Sequence, residues 1–300
     1  KPKTIVTEFI LLGFGNGPET ESLFFLVFLS IYIATITGNT SIIVLTVANR
    51  RLHTPMYFFL GNLACLEICY SSSILPRLLL SYLGGDRSIS VRGCITQYYF
   101  FDCLAAAECY LLAVMSYDRY LAVCRPLHYP SHMGRKLCLQ QAAASWISGF
   151  LSNSVLTFLI AKLDFCGPNE IEHFFCVSFP MIKLTTGYTY FFELLVFIAT
   201  VIIVLIPFAL IAASYIQIIH TILQIPSAQG RRKAFFTCLA HLVVVTLFYC
   251  TTGLIHLQPS LLAKSRKLVA LSYTVVTPML NPIIYSLRNK EVKHALRKTF

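Results

Sequence analysis

The feature that most constrains the fold of this chain is a set of long segments without any charged side chain. Asp, Glu, Lys and Arg are absent from residues 22–49, 137–161, 194–230, 234–263 and 268–287. Two further segments, 52–76 and 93–117, are interrupted only by the acids Glu67, Asp102 and Glu108. A membrane-spanning helix needs about 20 mostly apolar residues, so each of these segments is long enough to cross a bilayer.

The composition agrees with a membrane protein and excludes the soluble domains that a length of 300 residues would allow. Hydrophobic residues make up 56% of the chain and charged residues only 12%, whereas soluble domains carry roughly 25% charged residues. Only helices and closed barrels satisfy the backbone within lipid, and barrel strands are short and alternate in polarity. The continuous apolar segments therefore predict an all-α membrane protein, a single domain of seven transmembrane helices over residues 1–300.

The distribution of basic residues predicts how these helices are oriented. The spans are predicted near residues 23–48, 55–80, 92–124, 138–160, 191–223, 231–258 and 266–288. The loops after the first, third and fifth spans, together with the tail, hold 14 basic and two acidic residues, against 10 basic and seven acidic on the opposite side. Because basic loops remain in the cytoplasm, we expect a multi-pass plasma-membrane protein with its N-terminus outside and its C-terminus inside. The net charge of +11 then reflects membrane topology and does not predict nucleic-acid binding.

The tail and the cysteines add two expectations. Residues 289–300 alternate basic and apolar side chains, which predicts a short amphipathic helix on the inner leaflet. Three of the 11 cysteines are predicted to lie outside, where disulfides form: Cys94, Cys166 and Cys176. One disulfide is expected among these three, and one cysteine is left over.

Two other classes of membrane protein fit the sequence less well. A transporter or channel would show inverted repeats, discontinuous helices or pore-lining charges, and the sequence has none of these features. An integral-membrane enzyme would need clustered catalytic side chains, but the predicted cytoplasmic histidines are scattered, at His53, His128, His132, His220 and His294. We therefore predict that the protein is not an enzyme.

Six sequence strings, in order on the predicted helices, resemble the odorant-receptor branch of the rhodopsin-like (class A) G-protein-coupled receptors. They are Gly38-Asn39, LHTPMYFFL from Leu52 to Leu60, SYDRYLAVC from Ser116 to Cys124, Ser214-Tyr215, KAFFTCLAH from Lys233 to His241, and PMLNPIIYSLRN from Pro278 to Asn289. The resemblance covers nearly the whole chain. It implies a receptor that binds a small, mostly apolar volatile molecule and activates a stimulatory, olfactory-type heterotrimeric G protein, raising cyclic AMP. The alternative within the family is a receptor for a small non-olfactory metabolite.

The resemblance also implies roles for residues near the cytoplasm. An ion pair within Asp118-Arg119-Tyr120 would hold the receptor inactive, and the released Arg119 would meet the G protein. Asn281, Pro282 and Tyr285 would form a polar hinge in the seventh helix. The predicted coupling and switch residues are Asp118, Arg119, Tyr120, Tyr215, Lys233, His241, Asn281, Pro282 and Tyr285.

The family pattern further pairs Cys94 with Cys176 in a disulfide between the third helix and the long outer loop. The usual partner of Cys166 is replaced by Thr186, so Cys166 is expected to lack a loop partner. His173 and Cys176 form the HFFC string, a suggested metal motif, but a cysteine in a disulfide cannot bind metal as a thiolate. We therefore predict no metal site.

Family packing would bring Asn39, Glu67, Glu108 and Asn281 together in mid-membrane, where carboxylates are expensive and usually functional. Glu67 stands where an Asp is more usual. The two acids could share a proton or bind Na⁺, or they could be protonated carboxyls in a polar packing network. No other cofactor is predicted.

By the same resemblance, the ligand site lies between the outer halves of helices three to seven. Its candidate residues are Phe101, Asp102, Ala105, Ala106, Asn153, Ser178, Ala199, Ile203, Tyr249, Thr252, Gly253 and His256. They are mostly apolar with a few hydrogen-bonding groups, as small-molecule sites usually are. Asp102 suggests a cationic or hydrogen-bond-donating ligand, unless it pairs with an outer base such as Arg92 or Lys183.

Overall fold

The computed structural model describes residues 6–14, 18–166, 168–185, 189–257 and 266–288, and within them the chain forms seven long helices. They are α1 (Pro18–Ala48), α2 (Pro55–Gly84), α3 (Val91–Cys124), α4 (Arg135–Ala161), α5 (Thr189–Thr200, Val201–Leu205 and Ile206–Leu223), α6 (Ala228–Leu257) and α7 (Arg266–Leu271, Ser272–Val276 and Thr277–Arg288). The tail predicted as an amphipathic helix, 289–300, lies outside the described residues.

Six of these helices are long and apolar enough to cross a membrane. α6 makes a seventh span if its two parts, Ala228–Phe236 and Cys238–Gly253, which meet at 41°, are counted together. Large apolar side chains face outward, as lipid contact requires. On α4, for example, Leu151, Val155 and Phe158 are 61–67% exposed and follow one helical stripe. The predicted all-α membrane fold is confirmed.

α5 and α7 each contain one π-helical turn, Val201–Leu205 and Ser272–Val276. A proline follows each turn within two residues, at Pro207 and Pro278. Proline lacks the N–H that would bond to the carbonyl four residues earlier, and membrane helices accommodate the loss by local π adjustment. The two turns matter for function because residues of both line the cavity described below.

α2 ends at Gly84, four residues beyond the predicted end near residue 80. The guanidinium of Arg77, within the helix, donates to the Ser88 carbonyl beyond the helix end. The helix stops at Gly85, whose φ of +69° is a left-handed conformation that favours glycine and closes many helices.

Three short strands form a small sheet at one end of the bundle, hereafter the sheet end. β1 (Glu8–Leu11) lies in the middle, antiparallel to β2 (Ser88–Ser90) and parallel to β3 (Glu170–Ile171). Phe9 of β1 is fully buried against Phe165. None of these strands was predicted from the sequence, because segments this short carry no periodic signal.

α3 and α4 cross very closely at Gly149. A Cβ atom at this position would lie 2.6 Å from the Cys103 carbonyl oxygen and 2.7 Å from the Ala107 backbone nitrogen. Only glycine fits such an approach. The crossing holds the cavity-facing part of α3 against α4.

Candidate functional site

A cavity lies between α3, α4, α5, α6 and α7 towards the sheet end. Its volume is about 50 Å³. The lining residues are Tyr98, Phe101, Asp102, Ala105, Ala106, Cys109, Asn153, Leu156, Ser178, Val196, Ala199, Thr200, Ile203, Val204, Thr252 and Tyr273. The lining is mostly apolar with several polar groups, as expected of a small-molecule site.

Nine of the twelve predicted ligand-site residues line this cavity: Phe101, Asp102, Ala105, Ala106, Asn153, Ser178, Ala199, Ile203 and Thr252. Gly253 and Tyr249 are not among its described lining residues. The Tyr249 hydroxyl instead donates to the Cys109 carbonyl at 2.9 Å, which ties α6 to α3. The side chain of His256 lies outside the described residues. Whether the nine contact a ligand stays a prediction.

Several lining residues were missed by the sequence analysis. Tyr98 and Cys109 lie on the same α3 stripe as Phe101 and Ala105, so helical spacing could have found them. Tyr273 had no such signal, because it lies in the π-helical turn of α7, where regular helical spacing does not hold.

The loop between α4 and α5 contributes Ser178 to the cavity lining. The predicted Cys94–Cys176 disulfide is present and joins α3 to this loop. The Cys176 backbone N–H also donates to Gln97 Oε1 at 3.1 Å. Cys166 is a free thiol, and Thr186 lies outside the described residues. Since Cys176 is bonded, the HFFC string has no thiolate to offer a metal.

A buried polar cluster occupies the middle of the bundle. The Asn281 amide donates to Glu67 Oε1, and Asn39 Nδ2 donates to the carbonyls of Thr35 and Pro278 at 3.0 and 3.2 Å. The expected fourth member, Glu108, lies close enough to Glu67 for their charges to interact. All four predicted residues are at most 2% exposed.

Three buried oxygens of the cluster, Asn39 Oδ1, Glu67 Oε2 and Asn281 Oδ1, have no hydrogen-bond partner among the described residues. Buried polar atoms are normally paired, and ordered water, a proton on a carboxylate or a bound Na⁺ could each pair with these oxygens.

The opposite end of the bundle, hereafter the Arg119 end, carries the predicted switch residues. Arg119 Nη2 lies 3.5 Å from Asp118 Oδ2, and the Tyr129 hydroxyl donates to Asp118 Oδ1 at 2.7 Å. Tyr129 belongs to a short helix, Tyr129–His132, between α3 and α4. Burial and the adjacent Asp118 carboxylate raise the pKa of Tyr129, so its hydroxyl remains protonated and can donate.

Three further switch residues, Tyr215, His241 and Tyr285, lie near this ion pair. The Tyr215 hydroxyl lies 2.7 Å from His241 Nδ1, joining α5 to α6. Arg119 is close enough to Tyr215, His241 and Tyr285 for its charge to act on all three. Pro282 lies inside α7, one helical turn before Tyr285.

The two remaining predicted switch residues are less informative. Tyr120 stacks on Tyr117, with ring centroids 6.3 Å apart. The side chain of Lys233 lies outside the described residues. Six of the nine predicted switch residues therefore lie close to one another or to Glu67: Asp118, Arg119, Tyr215, His241, Asn281 and Tyr285.

A bundle of spanning helices with a small-molecule cavity at one end and an Asp-Arg-Tyr ion pair at the other has the architecture of a rhodopsin-like G-protein-coupled receptor. The sequence model of the family described as "Olfactory receptor" matches residues 28–300. Olfactory receptor 10A5 of Homo sapiens is 51% identical over 99% of this chain and 95% of that protein. Olfactory receptor 10A4 of Homo sapiens is 53% identical over 98% and 95% of the two chains, and olfactory receptor 11A1 of Homo sapiens is 46% identical over 98% and 93%. The chain belongs to the olfactory receptor family.

Membership establishes the general function. The protein is a multi-pass plasma-membrane receptor of the odorant-binding, G-protein-coupled class, and it is not an enzyme.

Proposed function

We propose that this receptor binds a small, mostly apolar volatile molecule in the sheet-end cavity and activates a stimulatory, olfactory-type G protein, raising cyclic AMP. The observation that carries the proposal is the cavity itself. Nine of the residues predicted to contact a ligand converge on it from five elements. Its small volume suits a ligand of few heavy atoms, and such ligands gain at most about 1.5 kcal/mol per atom, so affinity is modest.

The sheet end faces outward in this proposal, and the Arg119 end faces the cytoplasm. The Cys94–Cys176 disulfide lies at the sheet end, and disulfides persist in oxidising compartments. The loops at the Arg119 end carry the excess of basic residues that cytoplasmic loops carry.

α6 is the element that connects the two ends. Thr252 lines the cavity, Tyr249 bonds to the α3 backbone, and His241 meets Tyr215 beside Arg119. At 1.5 Å per residue, Thr252 and His241 are about 16 Å apart along the helix. A ligand shifts a receptor only by binding one arrangement better than another. We infer that it does so by changing how α6 packs on α3, which weakens the His241–Tyr215 contact and releases Arg119.

The mid-bundle cluster is proposed to hold Na⁺ when the receptor is inactive. Three unpaired acceptor oxygens suit a hard cation that takes oxygen ligands better than one shared proton, which would satisfy fewer of them. The shared proton remains the alternative, and the two differ in their response to Na⁺ and to pH.

The test is cyclic AMP accumulation in cells that display the full-length receptor and contain the stimulatory olfactory α subunit. A panel of small volatiles should include at least one agonist that raises cyclic AMP. The response should disappear in cells lacking that α subunit. An agonist response that persists without it, through another G protein, would contradict the proposed coupling while leaving the receptor class intact.

A further inference from the structure

The charged and polar groups that line the cavity are nearly all hydrogen-bond acceptors, which sharpens the expectation that Asp102 raised. Asp102 lines it, and no Lys, Arg or His is among its described lining residues. A carboxylate at an otherwise mostly apolar site interacts strongly with an incoming positive charge, because the surrounding dielectric is low. Among the described lining residues Asp102 is the one acid and none is basic. The Tyr98 hydroxyl lies beside the Asp102 carboxylate, which keeps further lone pairs for a ligand.

Neighbouring polar side chains offer hydrogen-bond acceptors. Asn153 Nδ2 points to two backbone carbonyl oxygens, those of Asp102 at 3.0 Å and Gly149 at 3.4 Å. Only the amide NH₂ can face two carbonyls, so the orientation of the side chain is fixed. Its oxygen is then the atom that Asn153 can present to a ligand. The Thr200 hydroxyl similarly donates to the Val196 carbonyl at 2.8 Å, which leaves its lone pairs as acceptors.

An aromatic cluster borders the same space. Phe101 lies 4.7 Å from the rings of both Tyr70 and Phe175 and 6.1 Å from that of Tyr273. Tyr98 and Tyr273 line the cavity together with Phe101. Aromatic faces attract cations within about 6 Å of the ring centroid. The aromatic wall and the acceptor groups thus favour the same class of ligand, by independent physical effects.

We propose that the ligand of this receptor is a small aliphatic amine whose ammonium group pairs with Asp102 and donates to Asn153 Oδ1. Its alkyl chain packs against Ala105, Ala106 and Ile203. This inference rests on the proposed function, since it names the ligand of the same cavity. A ketone, aldehyde or ester of equal size carries acceptors only and therefore matches this lining less well. A carboxylate would be repelled by Asp102.

The experiment uses the full-length receptor and four probes with the same carbon chain: butylamine, butanol, butanal and butanoate. Binding is measured as the thermal stabilisation of purified receptor, and signalling as cyclic AMP in cells. Butylamine should stabilise and activate most strongly, butanol less, and butanal and butanoate least. Asp102→Asn should raise the EC50 for butylamine at least about tenfold, because a hydrogen bond to a charged group is lost. Asp102→Glu should keep most of the butylamine response, and the exposed-loop variant Asp86→Asn should be unchanged.

Three results would overturn the proposal that the ligand is an amine. Butanal or butanoate could be the best ligand, Asp102→Asn could leave the butylamine EC50 unchanged at equal surface expression, or neither the butyl probes nor their hexyl homologues could stabilise the wild-type receptor. If Asp102→Asn does not fold, the wild-type ranking alone decides. Activation by neutral volatiles but not by amines would reject the amine and keep the proposed function. Stabilisation by butylamine without any cyclic AMP response would keep the amine and reject the coupling.

Discussion

At the Arg119 end the predicted switch residues contact or closely approach one another, whereas at the sheet end several polar side chains of the cavity are bound to backbone carbonyls. Asp118 meets Arg119 and Tyr129, and Tyr215 meets His241. In the cavity, by contrast, Asn153 and Thr200 donate to carbonyls of α3, α4 and α5. Side chains that pair with each other can exchange partners when helices move. Side chains tied to the backbone keep the shape and polarity of the space they line.

Because of this difference, the ligand preference of the receptor and its signalling output can change independently. A switch of mutually paired groups depends on all its members together. A cavity lined by residues from several elements can change its ligand by one substitution without disturbing the switch.

The α3–α4 crossing supports the cavity, and breaking it should produce the largest effect. Gly149→Ala places a Cβ atom 2.6 Å from the Cys103 carbonyl oxygen, and overpacking of this kind costs about 1–3 kcal/mol. We expect a large fall in surface expression and in the temperature of thermal inactivation. Gly84→Ala is the matched control, because its Cβ would meet nothing within 4 Å. Equal stability of the two variants would mean that the crossing is looser than described.

A larger side chain in the cavity should weaken ligand binding without changing the switch residues. Ala105→Leu adds three carbon atoms to a space of about 50 Å³, so the EC50 of the best agonist should rise at least about tenfold, or 1.4 kcal/mol. Ala143→Leu, on the exposed face of α4, should have no effect. An unchanged dose–response for Ala105→Leu at equal surface expression would place the ligand elsewhere.

The mid-bundle cluster lies between the two ends and should transmit a smaller effect. If Na⁺ binds there in the inactive receptor, replacing K⁺ by Na⁺ should weaken agonist binding several-fold, since allosteric couplings are typically about 1–3 kcal/mol. Glu67→Gln should remove the Na⁺ effect, and Glu193→Gln, outside the cluster, should retain it. If agonist binding depends on pH and not on Na⁺, the shared proton is favoured.

Removing the Tyr129 hydroxyl should have the smallest effect on the switch residues. Its hydroxyl and Arg119 bind the same Asp118 carboxylate. Tyr129→Phe removes one donor, so Asp118 should hold Arg119 more firmly and basal nucleotide exchange should fall about two- to tenfold, the worth of one net hydrogen bond. Tyr117→Phe, whose side chain is exposed, is the control. A rise in basal exchange would show that Tyr129 restrains the receptor.

The sequence allowed the helices to be predicted closely but the cavity only in part, and the reason is physical. Charge-free segments mark the helices because lipid excludes charge over a fixed length. Asp118 and Arg119 are adjacent in one recognisable string, so their pairing was predictable. Tyr273 faces the cavity only because a π-helical turn rotates it there. The direction of the Asn153 amide depends on carbonyls of two helices, which no single segment specifies.

The three strands at the sheet end also could not be predicted from the sequence. β1 is four residues long and gains its order from pairing with β2 and β3, which follow it by about 80 and 160 residues in the chain. Its stability comes from tertiary contacts such as Phe9 with Phe165, and the local sequence carries no signal for them.

In our proposal, ligand binding and G-protein activation reside at opposite ends of one bundle. Arg119→Ala separates the two, with two measurements on the same purified receptor: thermal stabilisation by the best agonist and agonist-stimulated nucleotide exchange on the G protein. We expect stabilisation to remain close to wild type while exchange falls to the background rate. Normal exchange by the variant, or loss of agonist binding in a variant that is folded, would contradict it.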